Sequence, residues 1–250
     1  MQQILAIIRL AVALVILIVG ALLVLLACLW PWRVQKCRPA AWVTVWLARG
    51  FCRLFNVRVH CAEPTQLRQH QGLIFPNHLS YLDIIVLLSI TPVRFLSMAA
   101  VRNYPLIGWI AHAIGTVFVV REDENSRQQA RQAIVQSLAE EPDPPLVLFP
   151  EGKIGKGDRL LPFRHGAFEI AVEHGIAFLP CVLRYTPLGI AAWHDGHLLA
   201  PVWALAKFPG PLRVEVKPLT VVQPEPVDDP VQLVAMTEQR MAAALGATQS

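Results

Sequence analysis

The sequence predicts an α/β fold with a largely parallel central sheet flanked by helices, preceded by an N-terminal membrane-associated two-helix segment. From Val57 onward, short apolar or β-branched runs alternate with helix-like segments, which is the pattern of an α/β sheet. Ahead of Val57 lie an uncharged apolar stretch, Leu10 to Trp30, and a basic aromatic segment. Polar residues follow three of the predicted strands directly, at the position where α/β sheets bind their ligands.

The predicted elements follow one another from Val57 to the C-terminus. Strands are predicted at 57–61, 72–75, 93–97, 116–120, 145–149, 177–183 and 212–216. Helices are predicted at 84–90, 106–113, 124–140 and 231–245. We therefore expect two regions, with membrane-anchoring helices in 1–56 and the α/β domain in 57–250.

Composition narrows the class of protein. Apolar residues make up 54% of the 250 residues and charged residues only 16%, which is more apolar than a typical soluble domain. The five cysteines are odd in number and include no Cys-x-x-Cys pair, so neither a zinc site nor a disulfide framework is predicted. Residues 1–62 contain arginine and lysine but no acid. We expect membrane lipid as a partner, no nucleic acid, and a reducing compartment.

The apolar stretch from Leu10 to Trp30 is long enough to span a bilayer, which takes about 20 residues. It is longer than the apolar core of a signal peptide. It ends in Trp30-Pro31-Trp32-Arg33, with aromatic and basic residues typical of the cytoplasmic interface. We therefore expect the inner (cytoplasmic) membrane, with the α/β domain on the cytoplasmic face. A buried core helix is the alternative interpretation.

The second N-terminal segment, 39–55, mixes aromatic, aliphatic and basic residues such as Trp42, Trp46, Arg49 and Arg53. Such a helix suits the headgroup boundary, with its arginines directed toward lipid phosphates. It is too short and too basic to be predicted as a second span. The two helices together could also form a re-entrant pair in which neither crosses the bilayer completely.

The stretch from Asn77 to Asp83 contains the main candidates for chemistry. His78 follows the apolar run 73–75, and Asp83 lies five residues later, in the first turn of the next predicted helix. A carboxylate there can bond an imidazole, fix its tautomer and raise its basicity. The chain has no Gly-x-Ser-x-Gly elbow to supply a nucleophile. The pair is therefore interpreted as a general base that activates a hydroxyl of the substrate.

The same stretch also has a purely structural interpretation. Ser80 followed three residues later by Asp83 resembles a capping box. Asp83 would then only stabilise the start of the helix, by roughly 0.3–1 kcal/mol. In that case His78 would be a histidine of a surface loop.

Two other predicted strands are followed by polar residues. Arg121 follows the strand at 116–120, and Glu151, Gly152 and Lys153 follow the strand at 145–149. Because the carboxyl ends of parallel strands meet at one edge of a sheet, we expect these residues to lie near His78. Taken singly, Arg121 fits a solvated strand end and Pro-Glu-Gly fits a simple turn.

Four motifs in this order resemble those of the glycerolipid acyltransferases, of which the best known are the 1-acyl-sn-glycerol-3-phosphate acyltransferases. They are Asn77-His78-x-Ser80-x-x-Asp83, Gly115-x-x-x-x-x-Arg121, Phe149-Pro150-Glu151-Gly152 and Leu179-Pro180, with 161–168 also in keeping. Each motif is weak alone. Their order and spacing, together with the apolar N-terminus, make the resemblance specific.

The resemblance implies a reaction. A fatty acyl group would pass from acyl carrier protein (acyl-ACP) or acyl-CoA, as co-substrate, to the free hydroxyl of a lysolipid acceptor. The leading acceptor is 1-acyl-sn-glycerol-3-phosphate, which would give phosphatidic acid in phospholipid synthesis. Because a thioester is already activated, base and orientation suffice, and neither a metal nor a tightly bound cofactor is expected.

The resemblance also implies roles for the motif residues. His78 would be the base and Asp83 would orient it. Arg121 would bind an anion of the acceptor, while Glu151 and Gly152 would shape the acceptor pocket. The complete set of predicted substrate-binding residues is Asn77, Ser80, Arg121, Glu151, Gly152 and Lys153.

The sequence departs from the family pattern at two places. The third motif usually continues with threonine, often followed by arginine, whereas a Lys-Ile dipeptide follows Gly152 here. Positions at which the family often has lysine and glutamate are occupied by Met98 and Ala100. Lys153 or Arg159 would then supply the missing charge. Alternatively, the acceptor is a different lysolipid, such as lyso-ornithine lipid.

Two other classes of function fit part of the sequence. A membrane-anchored thioesterase or other hydrolase would use water in place of the lipid hydroxyl, but it would need no second basic cluster such as Arg121 and Lys153. A non-catalytic scaffold for anionic lipid would explain the basic N-terminus, but not His78 with Asp83. The sequence therefore favours an O-acyltransferase of lipid metabolism.

Overall fold

A computed structural model describes residues 2–120, 124–155, 157, 159–191 and 199–246. Within these residues the chain forms a seven-stranded sheet. The strands are β1 (Val57–Cys61), β2 (Leu73–Pro76), β3 (Arg94–Met98), β4 (Val117–Val119), β5 (Leu146–Val147), β6 (Phe178–Thr186) and β7 (Leu212–Pro218). All of the predicted strands are therefore confirmed, with changes at their ends.

Helices surround this sheet. They are α1 (Gln2–Cys28), α2 (Pro39–Leu54), α3 (Pro64–Gln69), α4 (Leu82–Ile90), α5 (Ile107–Ala113), α6 (Glu124–Glu140), α7 (Gly166–Glu173), α8 (Leu188–Ala191), α9 (Leu199–Lys207) and α10 (Pro230–Gly246). A 3₁₀ turn, Ala99–Asn103, follows β3. The helices predicted from the sequence are present, and α3, α7, α8 and α9 are additional.

The sheet has the strand order β1-β7-β6-β2-β5-β3-β4. Strands β6, β2, β5, β3 and β4 run parallel to one another. Strand β7 is antiparallel to β6 and has β1 parallel beside it. The predicted α/β class with a largely parallel sheet is therefore confirmed. The loop that follows β2 leaves from the middle of the sheet.

Both faces of the sheet are covered because successive side chains of its central strands are apolar and point to opposite faces. Ile74 and Leu179 join a core formed with helices α2, α4 and α9. Phe75 and Phe178 lie on the opposite face, in a core formed with α6, α7 and α10. The ring of Phe75 lies 4.9 Å from the rings of both Phe168 and Phe178, measured between centroids. This packing fixes the end of β2 and so positions the residues after it.

Helices α1 and α2 pack against the rest of the protein. α1 contacts α2, α5 and α9, and Arg9 donates to the carbonyls of Ala206 and Phe208 at 3.1 and 2.7 Å. These carbonyls lie at the C-terminal end of α9, which favours a cation. Among the described residues, α1 is the helix that is long and apolar enough to cross a membrane. The predicted boundary at residue 56 stays a prediction.

The arginines near the N-terminus have protein partners that the sequence did not predict. Arg49 donates to the last two carbonyls of α4 at 2.8 and 3.4 Å, so the expectation that it faces lipid phosphates is wrong. Arg33 and Arg38 both pair with Glu141, at 2.8 and 2.5 Å. Burial alone would raise the pKa of Glu141, but these two guanidinium groups lower it below its ordinary value. Arg53 remains exposed.

Candidate active site

The loop between β2 and α4 brings His78 against Asp83. Nδ1 of His78 lies 2.8 Å from Oδ2 of Asp83. The Asp83 side chain is fully buried, whereas that of His78 is 14% exposed. When Nδ1–H donates to the carboxylate, Nε2 is left with a free lone pair, and it has no hydrogen-bond partner among the described residues. A general base with an orienting carboxylate has this arrangement.

Asp83 accepts three further hydrogen bonds. Its Oδ2 also accepts from the backbone N–H groups of Leu79 and Ser80, at 2.8 and 3.0 Å. Its Oδ1 accepts from the Tyr185 hydroxyl at 2.6 Å. Because a buried carboxylate is costly unless it is hydrogen-bonded, these donors compensate for the burial of Asp83. They also fix its orientation toward His78.

The capping interpretation and the His–Asp pairing are both present in this geometry. The Ser80 N–H donates to Asp83, which is one of the two bonds of a capping box. The other is replaced: the Ser80 hydroxyl accepts from the Leu82 N–H at 3.1 Å, and the Asp83 N–H donates to the Ser80 carbonyl at 3.1 Å. The same Oδ2 of Asp83 bonds His78. The cap therefore holds the carboxylate that orients the imidazole, so the two interpretations are compatible.

Residues that follow β5 hold His78 from its other side. The imidazole stacks on the ring of Phe149, with centroids 3.8 Å apart and an interplanar angle of 17°. The backbone N–H of His78 donates to Oε1 of Glu151 at 2.7 Å, and its carbonyl accepts from Gly155 at 2.8 Å. Oε2 of Glu151 accepts from the Leu161 N–H at 3.0 Å. Burial raises the pKa of Glu151, although both backbone donors oppose this shift.

Asn77 and Ser80 are buried and bonded to the protein itself. The Asn77 amide donates to the Leu183 carbonyl at 3.0 Å, and its Oδ1 accepts from the Leu183 N–H at 2.7 Å. These bonds connect the loop after β2 to strand β6. Ser80 caps the start of α4. The predicted contact of both residues with substrate stays a prediction.

The remaining predicted residues differ in accessibility. Glu151 is buried in the turn that contacts His78, and Lys153 is exposed two residues later. Gly152 has a φ of +69°, a conformation that favours glycine. Arg121 lies outside the described residues. The described residues contain no group of three or more His, Cys, Asp or Glu that could hold a metal ion.

Sequence reasoning did not assign Tyr185 or Arg164 to the site. Tyr185 lies near the carboxyl end of β6, the edge at which ligand-binding residues were expected. Burial, and then the neighbouring charge of Asp83, raise the pKa of Tyr185 well above its ordinary value, so it stays a donor. Arg164 comes twelve residues after Gly152 in the sequence, and its side chain lies across that glycine. A polar residue at the end of a predicted strand was the signal available for Tyr185.

Comparison with known proteins identifies relatives of this chain. A family model described as Acyltransferase matches residues 56–184. A lyso-ornithine lipid O-acyltransferase of Pseudomonas aeruginosa is 38% identical over 148 residues, covering 58% of this chain and 54% of that protein. A 1-acyl-sn-glycerol-3-phosphate acyltransferase of Neisseria meningitidis is 27% identical over 139 residues, covering 56% of this chain and 54% of that protein. The chain thus spans about half the length of these two relatives.

A longer match and a solved structure agree with this result. A lyso-ornithine lipid O-acyltransferase of Rhizobium meliloti is 30% identical over 206 residues, covering 76% of this chain and 68% of that protein. The crystal structure of the 1-acyl-sn-glycerophosphate acyltransferase PlsC from Thermotoga maritima has the same fold, with a TM-score of 0.75 and 18% identity. The structural match covers 100% of this chain and 98% of the PlsC chain. This chain therefore belongs to the glycerolipid acyltransferase family.

Proposed function

We propose that this protein transfers a fatty acyl group from acyl-ACP or acyl-CoA to the free hydroxyl of 1-acyl-sn-glycerol-3-phosphate, with phosphatidic acid as the product. The observation that supports this most is the His78–Asp83 pair, in which Nδ1 is bonded to a buried carboxylate and Nε2 is free among the described residues. The name of the Neisseria meningitidis relative supports this choice of acceptor.

The proposed reaction uses His78 first as a base and then as an acid. Nε2 removes the proton from the lysolipid hydroxyl while that oxygen attacks the thioester carbonyl carbon. The tetrahedral intermediate collapses, the carbon–sulfur bond breaks, and the proton on Nε2 passes to the departing thiolate. An ester and a free thiol result. The negative charge of Asp83 stabilises the positively charged imidazole between the two proton transfers.

The surroundings of His78 support this role because they hold the imidazole in one orientation. Asp83 bonds its Nδ1, Phe149 stacks on its face, and Glu151 bonds its backbone. General base catalysis contributes about 10²- to 10⁴-fold, and it requires the base to lie within hydrogen-bond reach of the proton. The reaction as written needs no metal and no tightly bound cofactor.

Lyso-ornithine lipid is a second candidate acceptor. The relatives from Pseudomonas aeruginosa and Rhizobium meliloti that act on it by name are 38% and 30% identical to this chain, against 27% for the Neisseria meningitidis relative. Met98 and Ala100 also replace the lysine and glutamate often found in the family. The same base chemistry would serve this acceptor, since it too offers a free hydroxyl for O-acylation.

One assay tests the reaction and separates the two acceptors. The purified full chain in detergent is incubated with each lysolipid and with each thioester donor, and the products are identified by mass spectrometry. We expect an esterified lysolipid from the wild type and none from His78→Ala. A wild type that releases only free fatty acid would be a hydrolase, which would overturn the proposal.

We also propose that α1 attaches the protein to the cytoplasmic face of the inner membrane. One side of α1 is held by α2, α5 and α9, while its other side exposes apolar residues such as Leu14, Leu22 and Leu26. A ridge of this kind suits contact with acyl chains. Co-sedimentation with vesicles of phosphatidylethanolamine and phosphatidylglycerol should decrease for Leu14→Asp with Leu22→Asp. Unchanged binding would contradict this role of α1.

A further inference from the structure

We propose that Arg164 binds the anionic group of the lysolipid acceptor, and that Gly152 leaves the space that holds the Arg164 side chain beside the active site. The ligand class is a phosphate monoester or a carboxylate on the acceptor head group. This inference rests on the proposed function, because it identifies a residue that recognises the acceptor. Arg164 lies in the 161–168 segment that shares the family pattern, and sequence reasoning assigned it no role.

The Arg164 side chain occupies the space that a side chain at position 152 would need. A Cβ added to Gly152 would lie 2.8 Å from Cδ of Arg164, which is closer than real Cβ atoms approach other atoms, and 3.0 Å from its Cζ. The backbone N–H of Arg164 donates to the Pro150 carbonyl at 2.8 Å. Arg164 is thus attached to the turn at 150–152 by its backbone and packs on that turn with its side chain.

This turn is the one that contacts His78. Glu151, which directly precedes Gly152, accepts the His78 backbone N–H at 2.7 Å. Gly155, three residues further, donates to the His78 carbonyl at 2.8 Å. The guanidinium of Arg164 is therefore next to the loop that borders the catalytic base. The proposal places the head group of an acceptor, whose hydroxyl lies at Nε2, on the side of the 150–152 turn where this cation lies.

The charge of Arg164 is available for a ligand. Its side chain is exposed and has no hydrogen bond or ion pair with any residue that the structure describes. Other arginines are used within the protein: Arg94 donates to main-chain carbonyls around α6, and Arg131 pairs with Glu169. Glu151, the acid next to Gly152, has no ion pair with Arg164 in the described part of the chain, and both of its oxygens accept backbone N–H groups.

A guanidinium fits this ligand class better than an ammonium does. Its planar fork donates two parallel hydrogen bonds to a phosphate or carboxylate, whereas lysine offers a point charge. Glycine at 152 lets the arginine side chain lie flat across the turn, and its positive φ adds strain for any other residue. Gly152 would thus contribute to acceptor binding through Arg164 rather than by direct contact.

Binding of three lipids tests this proposal. Calorimetry in detergent micelles gives the Kd of the full chain for 1-acyl-sn-glycerol-3-phosphate, for lyso-ornithine lipid and for neutral monoacylglycerol. The first two lipids each carry an anionic group, a phosphate or a carboxylate, and are called the anionic lipids here although the ornithine head group also bears an amine. We expect Arg164→Gln to raise the Kd for at least one of them about 10-fold, the loss of one charge-assisted contact, and to leave monoacylglycerol unchanged. Whichever anionic lipid responds identifies the source of the anion, and Arg164→Lys should fall between.

A matched control and a double variant make the test specific. Arg213→Gln removes an exposed arginine from β7 and should change no Kd. Gly152→Ala should weaken anionic lipid binding in the wild type, but not further in the Arg164→Gln background. The proposal is overturned if Arg164→Gln leaves both anionic lipids unaffected, weakens all three lipids equally, or acts no more strongly than Arg213→Gln. If the two substitutions raise the Kd by factors that multiply in the double variant, the role of Gly152 is overturned.

Failure of this inference differs from failure of the proposed function. If the wild type binds the anionic lipids through Arg164 but transfers no acyl group to them, the proposed function fails and the assignment of Arg164 stands. If the wild type transfers acyl groups and Arg164→Gln retains full affinity, the assignment of Arg164 fails and the proposed function stands.

Discussion

Replacement of Asp83 by asparagine separates the charge of this residue from its hydrogen bonds. The asparagine oxygen can accept from His78, Leu79 and Ser80, as Oδ2 of Asp83 does. The asparagine nitrogen would face the Tyr185 oxygen, and the hydroxyl can accept in place of donating. The packing and the tautomer of His78 are therefore retained, and the negative charge is lost.

The size of the effect follows from the geometry. In the proposed reaction His78 becomes positively charged when it takes the proton from the acceptor, and its Nδ1 lies 2.8 Å from Oδ2. With the two charges centred about 4 Å apart, their attraction at an effective dielectric constant of about 20 is about 4 kcal/mol. Because each 1.36 kcal/mol corresponds to about tenfold in rate, Asp83→Asn should lower kcat/KM by about 10³-fold.

The assay compares kcat/KM for acyl transfer and the melting temperature of the wild type, Asp83→Asn and His78→Ala. We expect His78→Ala to reach the uncatalysed background and both variants to melt within a few degrees of the wild type. If Asp83→Asn retains activity within tenfold of the wild type and melts at a clearly lower temperature, Asp83 acts as a helix cap only. The catalytic role of the pair would then be refuted.

Three further changes test the contacts around the site. Tyr185→Phe removes a hydrogen bond to the buried carboxylate of Asp83, so thermal unfolding should show a loss of roughly 1.5–3 kcal/mol. Glu151→Gln places an amide N–H₂ against one of two backbone donors, so stability should fall by about 1–3 kcal/mol and kcat/KM should fall with it. Burial lowers the pKa of His70, so unfolding free energy should decrease as the pH drops below about 6.5, and His70→Gln should flatten that dependence. Wild-type values in any of the three measurements would contradict the contact concerned.

The sheet could be predicted because its central strands are buried on both faces and read as continuous apolar runs. β2 is the simplest case, since all four of its residues are buried. The additional helices were missed for a physical reason. α7 has eight residues and begins with a glycine, and α8 has four, so neither is long enough to display a helical period.

Contacts within the site could be predicted when the two residues are close in the sequence, and were missed when they are far apart. His78 and Asp83 are five residues apart, so their hydrogen bond could be expected from local geometry. Tyr185 is 102 residues from Asp83, and only the rule for strand ends points toward it. Arg49 was misinterpreted because a basic residue that caps a neighbouring helix has the same local sequence as one that faces lipid.

The position of His78 depends on three separate strands. Its tautomer is set locally, by Asp83 in the first turn of α4. The carboxylate is in turn held by Tyr185 from β6, and the backbone of His78 is held by Glu151 from the turn after β5. Because a general base must lie within about 3 Å of the proton it removes, loss of a distant contact should act on the proton-transfer step. Changes at Tyr185 and Glu151 should therefore lower kcat more than they raise KM, the reverse of what Arg164→Gln should do.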